Sequence, residues 1–192
     1  MKILKFLAGL ILFLVIAFFA IGFIKPAVNY GHEVQVDKPV EEAWAVMLDD
    51  SKYGQWLEGF KSIELIRGEK GAKDSQYKVI VNPGKGQPDF EMIETVTDFK
   101  ENEFVDLHFD SDMMVFDQKT IFTKNGSKTK VRTESTVKGK GAMMKSMFAL
   151  MEIFGGSFQA QEAKNVEALK KVIEENTTDY YPVPTMEVVE EM

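Results

Sequence analysis

The sequence contains no cysteine and only two histidines, His32 and His108, in 192 residues. The absence of cysteine excludes disulfide bonds, thiol nucleophiles, iron–sulfur clusters and cysteine-ligated zinc. Two histidines are too few for a three-histidine metal centre. Basic residues are also in the minority, 23 against 30 acidic ones, for a net charge of −7. We therefore expect no metal, no cofactor and no binding to nucleic acid, which requires clustered Lys and Arg.

Sequence motifs of the common enzyme classes are missing as well. The chain has no Gly-x-Ser-x-Gly and no P-loop. Gly84-Lys85-Gly86 lacks the third glycine of a dinucleotide-binding fingerprint and does not join a strand to a helix. No catalytic residue is assigned from motifs.

The run from Phe6 to Ile24 contains no charged or strongly polar side chain. As a helix it would span roughly 28 Å, close to the hydrocarbon thickness of a bilayer. A cleaved signal peptide is the alternative, but its apolar core is usually about 7–15 residues, and Ala17-Phe18-Phe19-Ala20 offers no small-x-small cleavage site. We therefore predict a retained transmembrane signal anchor over residues 1–25, with Phe6, Leu10, Leu14, Phe18 and Ile24 as its anchor residues.

The distribution of charge around this helix predicts its orientation. Lys2, Lys5 and the amino terminus precede the run, whereas Lys25 alone follows it closely, which favours a cytoplasmic N-terminus and an exported domain, periplasmic or extracellular. Without these three lysines the chain has 20 basic and 30 acidic residues, or −10, and should be repelled by anionic headgroups. The helix would then be the tether, and a chain lacking residues 1–25 is expected to be soluble and folded.

Hydrophobic periodicity predicts an α+β domain over residues 26–176, followed by an acidic flexible tail over 177–192. A strand over 28–36 precedes a helix that begins after Pro39, with Asp37 as its cap. Period-two alternation then predicts roughly six strands joined as hairpins, including a turn at Asn125-Gly126. The period returns to helical from about 142 to 175, where Gly155-Gly156 interrupts the pattern. An antiparallel sheet with one apolar face needs a cover, and this long helix is large enough.

Two segments of the sequence resemble a known family. Val36-Asp37-Lys38-Pro39-Val40-Glu41-Glu42-Ala43-Trp44, followed by Leu48-Asp49-Asp50-Ser51-Lys52-Tyr53-Gly54-Gln55-Trp56, is similar to the opening of the START-like (SRPBCC) superfamily. That superfamily includes polyketide cyclases, pollen allergens and lipid-transfer domains. The resemblance implies a helix-grip fold, in which a curved antiparallel sheet wraps around a long C-terminal helix and encloses a deep apolar cavity for a hydrophobic small molecule. The N-terminal anchor is not a standard part of this pattern.

Aromatic and methionine side chains are the candidate ligand-binding residues. Met147, Met151 and Phe154 share one helical stripe, which we expect to face the inner side of the sheet across a pocket. A packed core is the alternative, but 11 methionines suit an adaptable binding surface, and the resemblance implies a cavity at the same place. The full candidate set is Trp56, Tyr77, Met92, Phe109, Met114, Phe116, Phe122, Met147, Met151, Phe154 and Phe158.

Three functions are compatible with these observations. The leading hypothesis is a membrane-tethered domain that binds a lipid or isoprenoid-like molecule without transforming it. A cyclase- or hydratase-type enzyme would need an inward-facing polar pair. Glu94 and His108 could become cross-strand neighbours, but His108 alternates with Leu107 and Phe109 and so belongs to the solvent face. The third hypothesis is a protein-interaction module that uses the acidic tail.

Overall fold

The computed structural model describes residues 2–82, 84 and 86–181. Its first element is a helix, α1 (Lys2–Ile24), whose side chains are almost all exposed over the first four turns. In the described part of the chain it is the one helix long and apolar enough to cross a membrane. All five predicted anchor residues lie on this helix.

Eight strands form one antiparallel sheet in the order β1-β8-β7-β6-β5-β4-β3, with β2 also paired to β8. The predicted strand over 28–36 is interrupted at Gly31-His32, so it forms two short strands that pair with successive parts of β8. The strands are β1 (Val28–Tyr30), β2 (Glu33–Val36), β3 (Phe60–Arg67), β4 (Gln76–Val81), β5 (Phe90–Lys100), β6 (Phe104–Asp110), β7 (Met114–Asn125) and β8 (Lys128–Gly139).

Short helical segments separate β2 from β3. They are α2 (Val40–Leu48), a 3-10 turn (Asp50–Lys52) and α3 (Tyr53–Trp56). Helix α2 begins after Pro39 as predicted, but Asp37 does not cap it, because Pro39 occupies the N-cap position. The Asp37 carboxylate instead pairs with Lys128 at 2.8 Å, which ties this loop to the start of β8.

The C-terminal helical region consists of two helices and not one. Helix α4 (Gly141–Gly155) ends at Gly156, whose left-handed backbone (φ 53°, ψ 35°) also precedes α5 (Ser157–Glu174). Glycine adopts this conformation without the steric cost that a Cβ would add. Helix α5 covers the sheet and contributes Val166, Leu169 and Ile173 to the core. Helix α4 packs on β1 and β8 through one side and against the end of α1 through another.

Two apolar clusters hold the domain together. The larger one joins the sheet, α2 and α5, and includes Trp44 in edge-to-face contact with Phe122 at 5.4 Å between ring centroids. The smaller one joins β1, β8 and α4 around Val28, Val137 and Phe148. The α+β class and the wrapping of one antiparallel sheet around a C-terminal helix are therefore confirmed, with α5 as that helix.

The first residues of the predicted tail are docked on α2. The Tyr180 hydroxyl donates a hydrogen bond to the Asp49 carboxylate at 2.6 Å, and the Tyr181 hydroxyl donates one to the Glu41 carbonyl at 3.2 Å. Tyr180 and Tyr181 are thus tied to α2 and its C-terminal end. The rest of the predicted acidic tail, on which the protein-interaction hypothesis depends, lies outside the described residues.

Candidate functional site

An apolar cavity of about 450 Å³ lies between the inner face of the sheet, α3 and α5. This volume is within the range of typical small-molecule sites, about 300–1,000 Å³. Strand alternation supplies most of its wall, because the inward positions of β4, β5, β6 and β7 carry large apolar side chains. Seven of the predicted residues line it: Trp56, Tyr77, Met92, Phe109, Met114, Phe116 and Phe158.

Four predicted residues are not part of the cavity wall. Phe122 is buried in the core against Trp44, beyond the edge of the cavity. Met147, Met151 and Phe154 lie on α4, where their side chains are exposed, Phe154 by 83%. The expectation that these three face the sheet across a pocket is therefore wrong. Their helical stripe exists, but α4 packs on β1 and β8 through Phe148, and the stripe lies on the exposed side of the helix.

Glu94 places an ionisable group inside this apolar cavity. It follows Met92 and precedes Val96 in the inward phase of β5, and its cross-strand neighbours are Tyr77 and Phe109. No side chain or backbone group of the described residues forms a hydrogen bond or ion pair with its carboxylate. Burial without compensation raises the pKa of Glu94 from 4.5 to about 7. The carboxyl group is thus close to half-protonated at neutral pH.

Two aromatic residues of α3, Tyr53 and Trp56, line the same cavity as Glu94 and carry polar groups. Tyr53 and Trp56 are in edge-to-face contact, with ring centroids 5.8 Å apart. Burial, reinforced by the negative charge of Glu94, raises the pKa of Tyr53 and keeps its hydroxyl protonated. The indole Nε1–H of Trp56 is buried and has no acceptor in the described part of the chain. The cavity therefore offers an unpaired carboxyl group and an unpaired N–H donor.

A second polar group in the cavity is fully paired. The Glu162 carboxylate of α5 accepts a hydrogen bond from the Gln118 side chain at 3.1 Å and one from the Ser135 hydroxyl at 3.5 Å. Burial raises the pKa of Glu162, and these donors partly oppose the shift. Burial and the nearby Glu162 charge raise the pKa of Tyr30 too. Because its partners are already in place, this cluster is a structural network more than a ligand contact.

The predicted pair of Glu94 and His108 does not form. In the register of β5 with β6, Glu94 is opposite Phe109 and His108 is opposite Thr95, so the two side chains point to opposite faces of the sheet. His108 lies on the solvent side and shares a hydrogen bond with Asp117, 2.6 Å from Nδ1 to Oδ1. The sequence analysis considered Glu94 only as a partner of His108 and did not predict it as an unpaired carboxylate in the cavity, although Glu94 shares the inward phase of Met92.

A larger depression, about 800 Å³, lies across β1, β8, β7 and β6 and is open to solvent. Four of its charged residues are paired with each other, Lys119 with Asp106 at 2.9 Å and Arg132 with Glu134 at 2.7 Å. Among the described residues no group of three His, Asp or Glu side chains is arranged to hold a metal ion. The apolar cavity between the sheet, α3 and α5 is therefore the candidate site.

The architecture around this cavity matches solved structures. A crystal structure of a Thermus thermophilus protein superposes with a TM-score of 0.62 at 13% identity, covering 76% of this chain and 97% of that one. The chain has the helix-grip fold. Truncated norcoclaurine synthase from Thalictrum flavum matches with a TM-score of 0.56 at 12% identity, covering 78% and 95%. The di-domain ARO/CYC StfQ of the steffimycin biosynthetic pathway matches with a TM-score of 0.62 at 10% identity, covering 79% and 52%.

These likenesses confirm the fold that the START-like resemblance implies. At sequence identities of 10–13%, these structures show the fold of the chain but do not identify its ligand or activity. No family model matches the sequence, and no curated protein matches it.

Proposed function

We propose that the protein binds a hydrophobic small molecule, such as a lipid or an isoprenoid-like compound, in the helix-grip cavity while α1 holds it in a membrane. The observation that carries this proposal is the partly enclosed cavity of about 450 Å³ with a mainly apolar wall. A packed core would leave few voids larger than a water molecule. The apolar side chains of the wall have few contacts when the cavity is empty. An apolar molecule in the cavity would supply these contacts, so an apolar ligand is favoured.

The membrane part of the proposal rests on α1. Its exposed apolar surface, with Phe6 and Leu14 among the exposed residues, has a length that suits a bilayer. The lysine distribution favours a cytoplasmic N-terminus, which would place the ligand-binding domain on the exported side. A tether would keep the cavity close to the bilayer, where hydrophobic ligands partition.

The direct test is native mass spectrometry of the full chain extracted in a mild detergent, followed by identification of the molecule released. We expect a co-purifying hydrophobic compound at near-stoichiometric amounts. A chain that is consistently empty after extraction, and that takes up no added fatty acid or isoprenoid, would contradict the proposal.

Met92→Trp is the matching mutational test. Met92 lines the cavity, so the larger indole should occupy ligand space and lower fatty-acid uptake several-fold while the fold is kept. Met151→Trp is the control, because it makes the same change on α4 outside the cavity and should leave uptake unchanged. Uptake is measured by native mass spectrometry at a fixed fatty-acid concentration. Equal uptake by the two variants would show that ligands bind elsewhere.

An enzyme of the cyclase or hydratase type is the second candidate, and Glu94 is the observation that favours it. A buried carboxyl group with a pKa of about 7 can donate or accept a proton near neutral pH, as general acid–base catalysis requires. Tyr53 and the Trp56 N–H are in position to contact a polar group of the same ligand.

The two candidates differ in what happens to the bound compound. Under the binding hypothesis the extracted compound is recovered unchanged after incubation with the protein. Under the enzyme hypothesis its mass or ring structure changes with time, and Glu94→Gln abolishes that change while binding persists. Conversion at the wild-type rate by Glu94→Gln would exclude Glu94 as the catalytic group.

A further inference from the structure

The end of α1 is not free to contact lipid on all sides. Ala17, Phe18 and Ile21 are half-buried and Gly22 is buried, because α4 packs against this part of the helix. The contact is close at Gly22, where an added Cβ would lie 2.6 Å from the backbone nitrogen of Ser146. The unpacked part of α1, from Ile3 to Ile16, is only roughly 20 Å long.

This length is shorter than the hydrocarbon layer of a bilayer, about 30 Å. If α1 spans the membrane, its last turns must also lie within the hydrocarbon layer. Helix α4 is packed on those turns and therefore enters the membrane with them. The difference between the two lengths gives the depth of α4. Roughly 10 Å of the hydrocarbon layer is crossed by the part of α1 that α4 packs against, which suits a helix at the boundary of headgroups and acyl chains.

The free surface of α4 has the composition that this position requires. Met143, Met147, Met151 and Phe154 recur at helical spacing along one stripe, and all four are exposed, from 36% for Met147 to 83% for Phe154. Lys145 and Glu152 are its only charged residues, and both are half-buried. A large exposed apolar stripe on a water-soluble domain marks an interaction surface.

We infer that α4 is a second membrane-contacting element, which inserts the Met143–Met147–Met151–Phe154 stripe into the leaflet on the side of the domain and fixes the domain against the bilayer. This inference rests on the proposed membrane span of α1. The occupant of the stripe is the acyl-chain region of that leaflet, because the stripe is continuous with the apolar surface of α1. Burial of the four side chains, and not attraction of charge, drives the contact, since the domain carries an excess of acidic residues.

The position of α4 also brings the bilayer next to the cavity. Phe148, on the inner side of α4, is in edge-to-face contact with Phe158 at 5.2 Å between ring centroids. Phe158 and its stacking partner Tyr30 line the cavity. One layer of aromatic side chains therefore separates α4 from the ligand space.

The test uses the full chain, which has no cysteine of its own, with single cysteines that carry a nitroxide spin label. The variants are Leu10→Cys on α1, Met147→Cys and Phe154→Cys on α4, and Ser127→Cys in the hairpin at the opposite end of β8. Each is reconstituted into vesicles of zwitterionic phosphatidylcholine, and collision rates with oxygen and with a water-soluble nickel chelate are measured. We expect Leu10→Cys, Met147→Cys and Phe154→Cys to show an oxygen-to-nickel accessibility ratio several-fold above that of Ser127→Cys.

The outcomes separate the inference from the proposal on which it rests. High nickel accessibility on α4 with a lipid-protected Leu10→Cys would overturn the role of α4 and leave the anchor intact. High nickel accessibility at Leu10→Cys as well would overturn the membrane span itself. Protection of α4 from both reagents would mean that protein covers the stripe and would overturn the inference in favour of a protein interface. Loss of spin–spin broadening on dilution with unlabelled chain would then identify that protein as a second copy.

Discussion

Glu94 is the residue that departs most from the chemistry around it. Met92 and Val96 on the same strand, and Tyr77 and Phe109 on the neighbouring strands, surround a carboxylate that has no partner among the described residues. A buried unpaired charge is costly, so such a residue persists where it has a function or where the group stays neutral. Glu162, on the opposite wall, shows the contrasting case of a carboxylate whose donors are supplied by the fold.

Glu94→Gln should stabilise the empty protein in a pH-dependent way. The folded state retains the Glu94 proton up to a pKa of about 7, whereas the unfolded chain releases it near 4.5, so wild-type stability falls as pH rises through this window. Glutamine is neutral throughout, and the variant should exceed wild type by about 2–3 kcal/mol at pH 8 and by little at pH 4. Urea unfolding of ligand-free protein in detergent at several pH values measures the difference.

Glu91→Gln is the matched control, since Glu91 lies on the same strand but is exposed on the opposite face of the sheet. It should leave the pH dependence of unfolding as in wild type. The difference in unfolding free energy between Glu94→Gln and wild type could also prove independent of pH. In that case a group or water holds the Glu94 carboxylate ionised, and the description of it as unpaired is wrong.

At the residue scale, much of the cavity could be predicted from strand alternation. Tyr77, Met92, Phe109, Met114 and Phe116 line it because a period of two assigns their side chains to one face. The same rule assigns Glu94 to the inner face, but an isolated acidic residue is usually interpreted as solvent-exposed. Only the register with β4 and β6 shows that its cross-strand neighbours are Tyr77 and Phe109, which do not pair with a carboxylate.

At the scale of elements, α4 and α5 show where sequence patterns lose information. Both helices carry an apolar stripe, and a stripe indicates that one face is buried without identifying what buries it. Gly155-Gly156 marks the interruption, but the left-handed backbone of Gly156 decides that it is a break and not a gentle kink. The six long strands, whose alternation is clear, can be predicted within a few residues of their observed bounds, whereas the partner of α4 cannot.

Gly22 is the position where the α1–α4 contact can be tested. A side chain there would collide with the backbone of Ser146, so Gly22→Leu should separate the helices at a cost of about 1–3 kcal/mol. Hydrogen exchange of α4 amides, measured in detergent micelles, should accelerate while exchange in β6 and β7 stays slow. Gly9→Leu is the control, because a Cβ at Gly9 meets nothing within 4 Å. Unchanged protection of α4 in Gly22→Leu would contradict the packing described.

At the scale of the whole molecule, α1 and the domain are not independent parts joined by a linker. The sequence favours a simple tether, which would yield a soluble domain once residues 1–25 are removed. The structure changes the expectation of a soluble domain. Helix α1 covers one side of α4, and another side of α4 carries the exposed apolar stripe. The core clusters contain no residue of α1, so the shortened chain should still fold.

The chain over 26–192 should therefore fold but bind phosphatidylcholine vesicles in a salt-resistant manner. Replacement of Met143, Met147, Met151 and Phe154 by serine should release it into solution, since the apolar area that drives binding is removed. Vesicle flotation in low and high salt measures the bound fraction, and circular dichroism checks the fold. A shortened chain that stays in solution without these substitutions would support the simple tether.

The two tryptophans give this molecule a built-in optical reporter. Trp44 and Trp56 are the only indoles in the sequence, and both border the cavity, while α1 and α4 have none. Intrinsic emission therefore reads the ligand space and not the lipid contact. A brominated fatty acid inside the cavity should quench this emission by direct contact, whereas lipids brominated along their chains should leave it bright. Cavity occupancy and membrane attachment can thus be followed separately in the same sample, without any added label.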